Sequence, residues 1–123
     1  MSKVVYAGKP GAPLSKAVKA NGFLFLTGHV AGPAANIDAN SIASQTTGSL
    51  ENIQRTLKEC GASLEDVVRV TIYLTDMADK KEMNEAYIAF FPNDPPARSC
   101  IGVKELGGPE YRIEIDVVAA VED

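Results

Sequence analysis

The last part of the chain carries the pattern that most limits its fold. From Tyr111 to Val121, Ile113, Ile115, Val117, Ala119 and Val121 alternate with Arg112, Glu114, Asp116, Val118 and Ala120. Side chains of a strand point alternately to its two faces, so period-two alternation reads as a strand with one face on a core. The other face of this strand is neither plainly polar nor plainly apolar. A fold for this chain must therefore offer a sheet whose first face is buried and whose second face is half suited to water.

The preceding segments supply the other layers. Val68, Val70, Ile72 and Leu74 alternate with Val67, Arg69, Thr71 and Tyr73, a second strand over 67–75. Phe23 to Thr27 reads as a buried strand ending at Gly28, preceded by an Asn21-Gly22 hairpin turn, since both residues tolerate positive φ. Gly8, Pro10, Gly11 and Pro13 make residues 1–20 mostly extended loop, with strand-like pieces at Val4–Tyr6 and Ala17–Lys19. Residues 31–40 read as loop. Ile42, Thr46, Ser49, Leu50, Ile53, Leu57 and Cys60 recur at three- and four-residue steps, the stripe of a helix over 41–60. Asn40 or Ser41 caps its start, and Gly61 takes the left-handed position past its end. Cys60 lies on that stripe and reads as packing. Met83, Tyr87 and Phe90 or Phe91 mark a second helix, opened by Asp79 with Glu82 as a capping pair and closed by Pro92. Arg98–Val103 is the next strand, after Pro95-Pro96. The order is β-β-α-β-α-β-β, roughly. Neither helix is apolar all round, so both belong on one face of a mixed sheet, an α+β fold of two layers.

With 123 residues the chain suits one domain, since domains commonly run to about 100–150 residues. No apolar run approaches the roughly 20 residues that span a bilayer. The start, Met1-Ser2-Lys3-Val4-Val5-Tyr6, is too short and mixed for a signal peptide, which predicts a cytoplasmic protein. A net charge of −4 with no basic run disfavours nucleic acid. Cys60, Cys100 and the single histidine, His29, share no metal-ligand spacing, and no dinucleotide or phosphate-loop motif is present. Neither a metal nor a cofactor is expected. His29 beside Gly28 reads first as structural or solvent-facing, with a place lining a ligand cleft as the lesser alternative.

Parity suggests what lies on the second face. With Ile101, Val103, Ile113 and Ile115 toward the helices, Arg98, Cys100, Arg112, Glu114 and Asp116 face the other way, joined by Val67, Thr71, Tyr73 and Val118. Three readings stay open: a solvated face, an interface between copies of the chain, and a ligand site. Val118 and Ala120 share the parity of the charged residues, so part of the face wants covering, as a symmetric partner would do.

The run Pro96-Ala97-Arg98-Ser99-Cys100-Ile101-Gly102-Val103, followed by Ile113-Glu114-Ile115, resembles the Rid family (YjgF/YER057c/UK114). The likeness extends to Ala17–Gly22 with Leu26–Val30, to Gln45–Leu57, to Val70–Asp76, and to Met83–Tyr87 with Phe90-Phe91. It implies a chorismate-mutase-like (YjgF-type) fold and a homotrimer whose sheets form a central barrel, with clefts between neighbours. It also implies hydrolysis of reactive 2-enamine and 2-imine carboxylic acids, such as 2-aminoacrylate, to 2-keto acids and ammonia. Arg98 would grip the substrate carboxylate, its planar fork matching two oxygens. Glu114 would handle water and protons. The Cys100 backbone N–H, Gly28 and Asn84 would border the cleft, with Asn84 coming from the adjacent subunit. Two positions depart from the family pattern. Leu14 stands where the family's G-P-Y-S stretch has tyrosine, and Thr27-Gly28-His29 replaces S-G-Q. Thr27 keeps a hydroxyl; Leu14 offers only packing. That loss raises an alternative, a Rid-fold protein that binds small carboxylates without turning them over. Ribonuclease action, sometimes attributed to the family, fits poorly with one histidine and an acidic charge.

Overall fold

The computed structural model describes residues 2–33 and 38–122. Six strands and two helices run in the order β1 (Lys3–Ala7), β2 (Ser15–Ala20), β3 (Phe23–Leu26), α1 (Ile42–Glu59), β4 (Val67–Leu74), α2 (Lys80–Tyr87), β5 (Ala97–Gly102) and β6 (Ile113–Ala120). One more strand precedes α1 than expected. Val4–Tyr6 does pair, through Val4↔Lys19 and Val5↔Val18, although a Pro- and Gly-rich loop separates it from β2. The expected loop over 31–40 falls partly outside the described residues, at 34–37; its flanks are neither helix nor strand.

The strands form one sheet in the order β1-β2-β3-β6-β4-β5. Only β4 and β5 run parallel, and α2 makes the crossover between them. Asn21 and Gly22 turn the β2–β3 hairpin with φ of 54° and 82°. Ser41 caps α1, its hydroxyl accepting from Ser44 N at 3.1 Å, and Gly61 follows the helix with φ 78°. Asp79 does not cap α2 with its side chain; its carboxylate is spent on Arg112 at 2.6 Å.

One core joins the helices to one face of the sheet. Leu50, Ile53, Leu57, Met83 and Tyr87 pack on Leu24, Val70, Ile72, Leu74, Ile113, Ile115 and Val117. Burying each such Leu or Ile is worth about 2 kcal/mol. Slipping β6 by one residue would exchange Ile113, Ile115 and Val117 for Glu114, Asp116 and Val118, so its facing is strongly specified. Cys60 packs at the edge of this core, and burial pushes its thiol up, with the Glu59 charge adding to the effect.

Among the described residues no helix covers the second face. Its β1–β3 half is apolar: Val5, Val18, Phe25 and Val118 lie in one row across four strands, with Phe23 in the next row. Val5 is 50% and Phe25 47% exposed, on either side of half-buried Val18, so the row is an open apolar patch. The other half is polar, with Glu114 beside Tyr73 and Asp116 beside Thr71.

The β5 parity differs from the expectation. Arg98 pairs with Val70 and Cys100 with Ile72, both core-facing, so Arg98 and Cys100 lie on the helix side. Ile101, beside Tyr73, lies on the open side and is 44% exposed. Arg112 also leaves the open face, to pair with Asp79. Glu114 and Asp116 sit on the open face as expected.

Candidate functional site

Two groups of polar side chains stand out, one on each side of the sheet. The first is at the edge, where α2 overhangs β5. Pro95 and Pro96 bring the chain in extended, and parallel pairing with β4 turns Arg98 toward α2. Its guanidinium carbon lies 4.8 Å from the centre of the Tyr87 ring, within cation–π range. Tyr87 is 6% exposed and stacked on Phe91, centroids 4.9 Å apart, so the platform under Arg98 is firm. Among the described residues Arg98 has no hydrogen-bond or ion-pair partner. Its five N–H donors are available to an anion.

Polar atoms near this platform also lack partners. Asn84 is one helical turn before Tyr87; its side-chain Oδ1 is buried and unbonded, as is the Tyr87 hydroxyl. Burial pushes the Tyr87 hydroxyl up, against the opposing pull of Arg98. Cys100, two residues beyond Arg98, is partly buried against the core. Leaving a buried polar atom unpaired costs about 1–3 kcal/mol, so such atoms mark places where a ligand, water or second chain fits.

The second group is on the open face. The Glu114 carboxylate folds over Gly28, so closely that any Cβ at 28 would overlap it. The chain beyond β3 is tied to β6 here: His29 N donates to the Ile115 carbonyl at 2.7 Å and Ile115 N to the His29 carbonyl at 2.9 Å. Beside Glu114, the Tyr73 hydroxyl donates to Asp116 Oδ2 at 3.0 Å. Burial first, and then the Asp116 charge, hold the Glu114 carboxyl above the usual glutamate range. Tyr73 is likewise raised, by burial foremost and then by its bond to Asp116.

His29 belongs to neither group. Its Nδ1 donates to the Thr27 carbonyl at 2.7 Å, and its Nε2 lies 2.8 Å from Thr56 Oγ1 on α1. A carbonyl only accepts, so Nδ1 carries the proton and neutral Nε2 accepts from the Thr56 hydroxyl. Burial, the largest cause, pushes its pKa below the ordinary histidine value. The histidine is structural. Thr27, half-buried, is held through its backbone, its N–H donating to the Lys16 carbonyl at 3.0 Å. Leu14 lies just before β2 and is 53% exposed.

Arg98 and Glu114 are not brought together within one chain. Arg98 is level with Val70 and Val117, whereas Glu114 is level with Tyr73 and Ile101. They lie two strands apart, about 10 Å, and three residues apart along the strands, about another 10 Å, on opposite faces. Each chain thus presents an anion-ready edge and, separately, a carboxylate-bearing face.

Sequence reasoning placed Tyr73 and Asp116 on the mixed second face and Tyr87 in the apolar stripe of the second helix but gave none of them a role, because the first two read as a solvated or covered face and the third as packing. Gln45 was missed. It is 1% exposed, donates to the Glu110 carbonyl at 2.8 Å and accepts from Arg112 N at 2.8 Å, pinning the approach to β6. A polar residue within a helical apolar stripe was its only signal. Among the described residues, no three His, Cys, Asp or Glu side chains are grouped to hold a metal ion.

Comparison with known proteins assigns the lineage. The family model described as Endoribonuclease L-PSP matches residues 6–121. The chain belongs to that family, also called YjgF or Rid. A RutC family protein of Pyrococcus horikoshii is 39% identical over 127 residues, covering 99% of this chain and all of that one. The chloroplastic Reactive Intermediate Deaminase A of Arabidopsis thaliana is 39% identical over 112 residues, covering 89% of this chain and 59% of the relative. The crystal structure of a YjgF-family protein from Neisseria meningitidis superposes with a TM-score of 0.87 at 36% identity, covering 100% of this chain and 98% of that one. The family model is described as an endoribonuclease and the Arabidopsis relative as a deaminase, so Rid membership fixes fold and ancestry, and chemistry must be argued from the residues. No helix among the described residues of this Rid chain is long and apolar enough to cross a membrane.

Proposed function

We propose that this Rid-family chain hydrolyses reactive 2-enamine and 2-imine carboxylic acids, such as 2-aminoacrylate, to 2-keto acids and ammonia. The observation that carries the reading is Arg98: a guanidinium with no ion-pair or hydrogen-bond partner among the described residues, on an aromatic platform at the edge of the fold. Such a group suits a small carboxylate, which its fork binds through two oxygens. The Arabidopsis relative named as a reactive intermediate deaminase supports the same class.

The active assembly in this reading is a cytoplasmic homotrimer, in a reducing compartment where Cys60 and Cys100 stay free. Packing the open faces together would cover Val5, Phe23 and Phe25. It would also let the Arg98 edge of one chain meet the Glu114 face of the next, which no single chain does alone. The Cys100 and Gly28 backbones border the substrate, Asn84 and Thr27 line the cleft, and Leu14 packs over the substrate side chain.

The chemistry then needs few groups. The enamine tautomerises to the imine, and water adds to the imine carbon, giving a carbinolamine. Glu114 hands its proton to the amine nitrogen as the C–N bond breaks. It takes a proton back from the carbinolamine hydroxyl as the C=O bond forms. A carboxyl held above its usual range suits that exchange, since it keeps a proton to give nearer neutral pH. No cofactor enters the scheme; a PLP enzyme upstream would supply the imine.

A second reading, carboxylate binding without turnover, draws on exposed Leu14 in place of tyrosine. One assay separates the two. 2-Aminoacrylate is generated by a PLP-dependent serine dehydratase, and pyruvate and ammonia release is followed with and without the protein. The deaminase reading expects faster release in proportion to added protein. Unchanged release, with 2-keto acid binding still measurable, would leave the binding module. RNA cleavage, suggested by the family model's description, is disfavoured because the one histidine is engaged by Thr27 and Thr56.

A further inference from the structure

The polar end of the open face holds more than Glu114. Tyr73 and Glu114 are direct cross-strand partners, and Asp116 is the next β6 residue on the same face. The Tyr73 ring lies beside Glu114 while its hydroxyl reaches diagonally to Asp116 Oδ2 at 3.0 Å. Asp116 is thereby fixed in place with a single short tether, and its other oxygen is not committed to Tyr73. Within one chain, and among the described residues, the remaining neighbours carry no competing charge at Glu114; in the proposed assembly the next chain's Arg98 would pull the other way, equally in wild type and variants. Gly28 lies directly beneath its carboxylate, and the β5 residues on this face nearby are Ser99 and Ile101. Arg69, farther along β4, donates to Ser99 Oγ at 2.6 Å. Arg112, on Glu114's own segment, is paired with Asp79, and His29 points to the core.

We propose that the Tyr73–Asp116 pair is a positioning element for Glu114: it holds a negative charge beside that carboxyl and sets how readily it keeps and returns the proton exchanged with the amine. The idea rests on the deaminase reading for its purpose, but not for its physics. Asp116 touches no reacting atom in this scheme. The upward displacement of Glu114, caused by burial first and Asp116 second, is in the direction such an element would produce. Tyr73 keeps the Asp116 carboxylate from swinging away, because its hydroxyl has that oxygen as acceptor.

The test is Asp116→Asn, which keeps shape and removes charge, with Tyr73→Phe as an independent second variant. Glutamate carboxyls are labelled with 13C and titrated by NMR in the intact assembly, the Glu114 signal being assigned by its loss in Glu114→Gln. In both variants the Glu114 midpoint is expected to move to lower pH, more so in Asp116→Asn. The basic limb of kcat/KM should move down with it, because less of the free enzyme then holds the proton. In a Glu114→Ala background Asp116→Asn should cost less than about twofold in turnover, as expected of residues acting through one group. A Glu114 midpoint unmoved by both variants overturns the proposal. So does a midpoint that moves while the rate profile stays put. A protein without imine turnover sinks the deaminase reading, and the carboxyl titration alone then decides the coupling.

Discussion

Replacing Arg98 with alanine is expected to lower kcat/KM for 2-aminoacrylate by at least about 100-fold and to abolish measurable 2-keto acid binding. The magnitude follows from what is lost. A hydrogen bond to a charged group is worth about 1.5–3 kcal/mol, and a forked pair contributes two of them. At roughly 1.4 kcal/mol per factor of ten, the loss spans about two to four decades. Arg98→Lys keeps a charge but loses the planar fork, so it should recover only part of the binding. The fold should survive either change. Arg98 contacts the Tyr87 ring and makes no ion pair among the described residues, and an exposed cation–π contact contributes about 0.5–1 kcal/mol. Calorimetry with pyruvate and a thermal melt of the same variant check both halves. Full activity in Arg98→Ala would remove the basis of the proposal.

Glu114→Gln is expected to separate turnover from binding. Loss of a positioned acid–base group typically costs about 10²–10⁴ in rate, whereas 2-keto acid affinity should stay within about threefold, since Arg98 is untouched. Stability should move the other way. The folded-state pKa of Glu114 is raised, by burial and then by Asp116. Such a group favours the folded state below the ordinary glutamate range of about 4.3, and that advantage is lost as pH rises through the folded value. Near neutral pH the native carboxylate is therefore a burden. Glu114→Gln should raise Tm at neutral pH and gain little in acid, while it lowers activity. A fall in both at neutral pH would mean that Glu114 is a structural ion, not a proton carrier.

Much of the architecture was readable because several segments have one answer only. The β6 alternation is unambiguous, since Glu114 and Asp116 cannot trade places with Ile113 and Ile115 in a closed core. The α1 stripe, its Ser41 start and the Asn21-Gly22 turn are local chemistry and came through as expected. The facing of β5 did not. Ile101 and Val103 are apolar and Arg98 is charged, so hydrophobicity alone turns Arg98 outward. Its true facing is set by parallel register with Val70, a partner 28 positions earlier, and by an aromatic platform on α2. An edge strand next to an uncovered sheet face carries apolar residues on both sides, and inside and outside lose their usual meaning there. The same ambiguity kept β1 out of the expected element order although Val4–Tyr6 reads as strand-like, since it is exposed along most of its length. Asp79 was read as a cap because local spacing cannot reveal that Arg112, 33 positions away, takes its carboxylate. For the site, Arg98, Cys100, Asn84, Gly28 and Glu114 were named from resemblance. What no sequence pattern disclosed is that they fall into two groups on opposite faces.

That division makes one measurement decisive. Arg98→Ala and Glu114→Ala chains are each expected to be nearly inactive, but with complementary defects. If a cleft takes its arginine from one chain and its glutamate from the next, co-assembled mixtures contain intact clefts. In an equal random mixture half the chains keep Arg98 and half keep Glu114, so about a quarter of clefts receive both. Imine hydrolysis should therefore rise to about a quarter of the wild-type rate per cleft once mass spectrometry confirms mixed trimers. Mixed trimers as inactive as either parent would contradict a shared cleft, and with it the reading that one chain's Arg98 and its neighbour's Glu114 work on the same substrate.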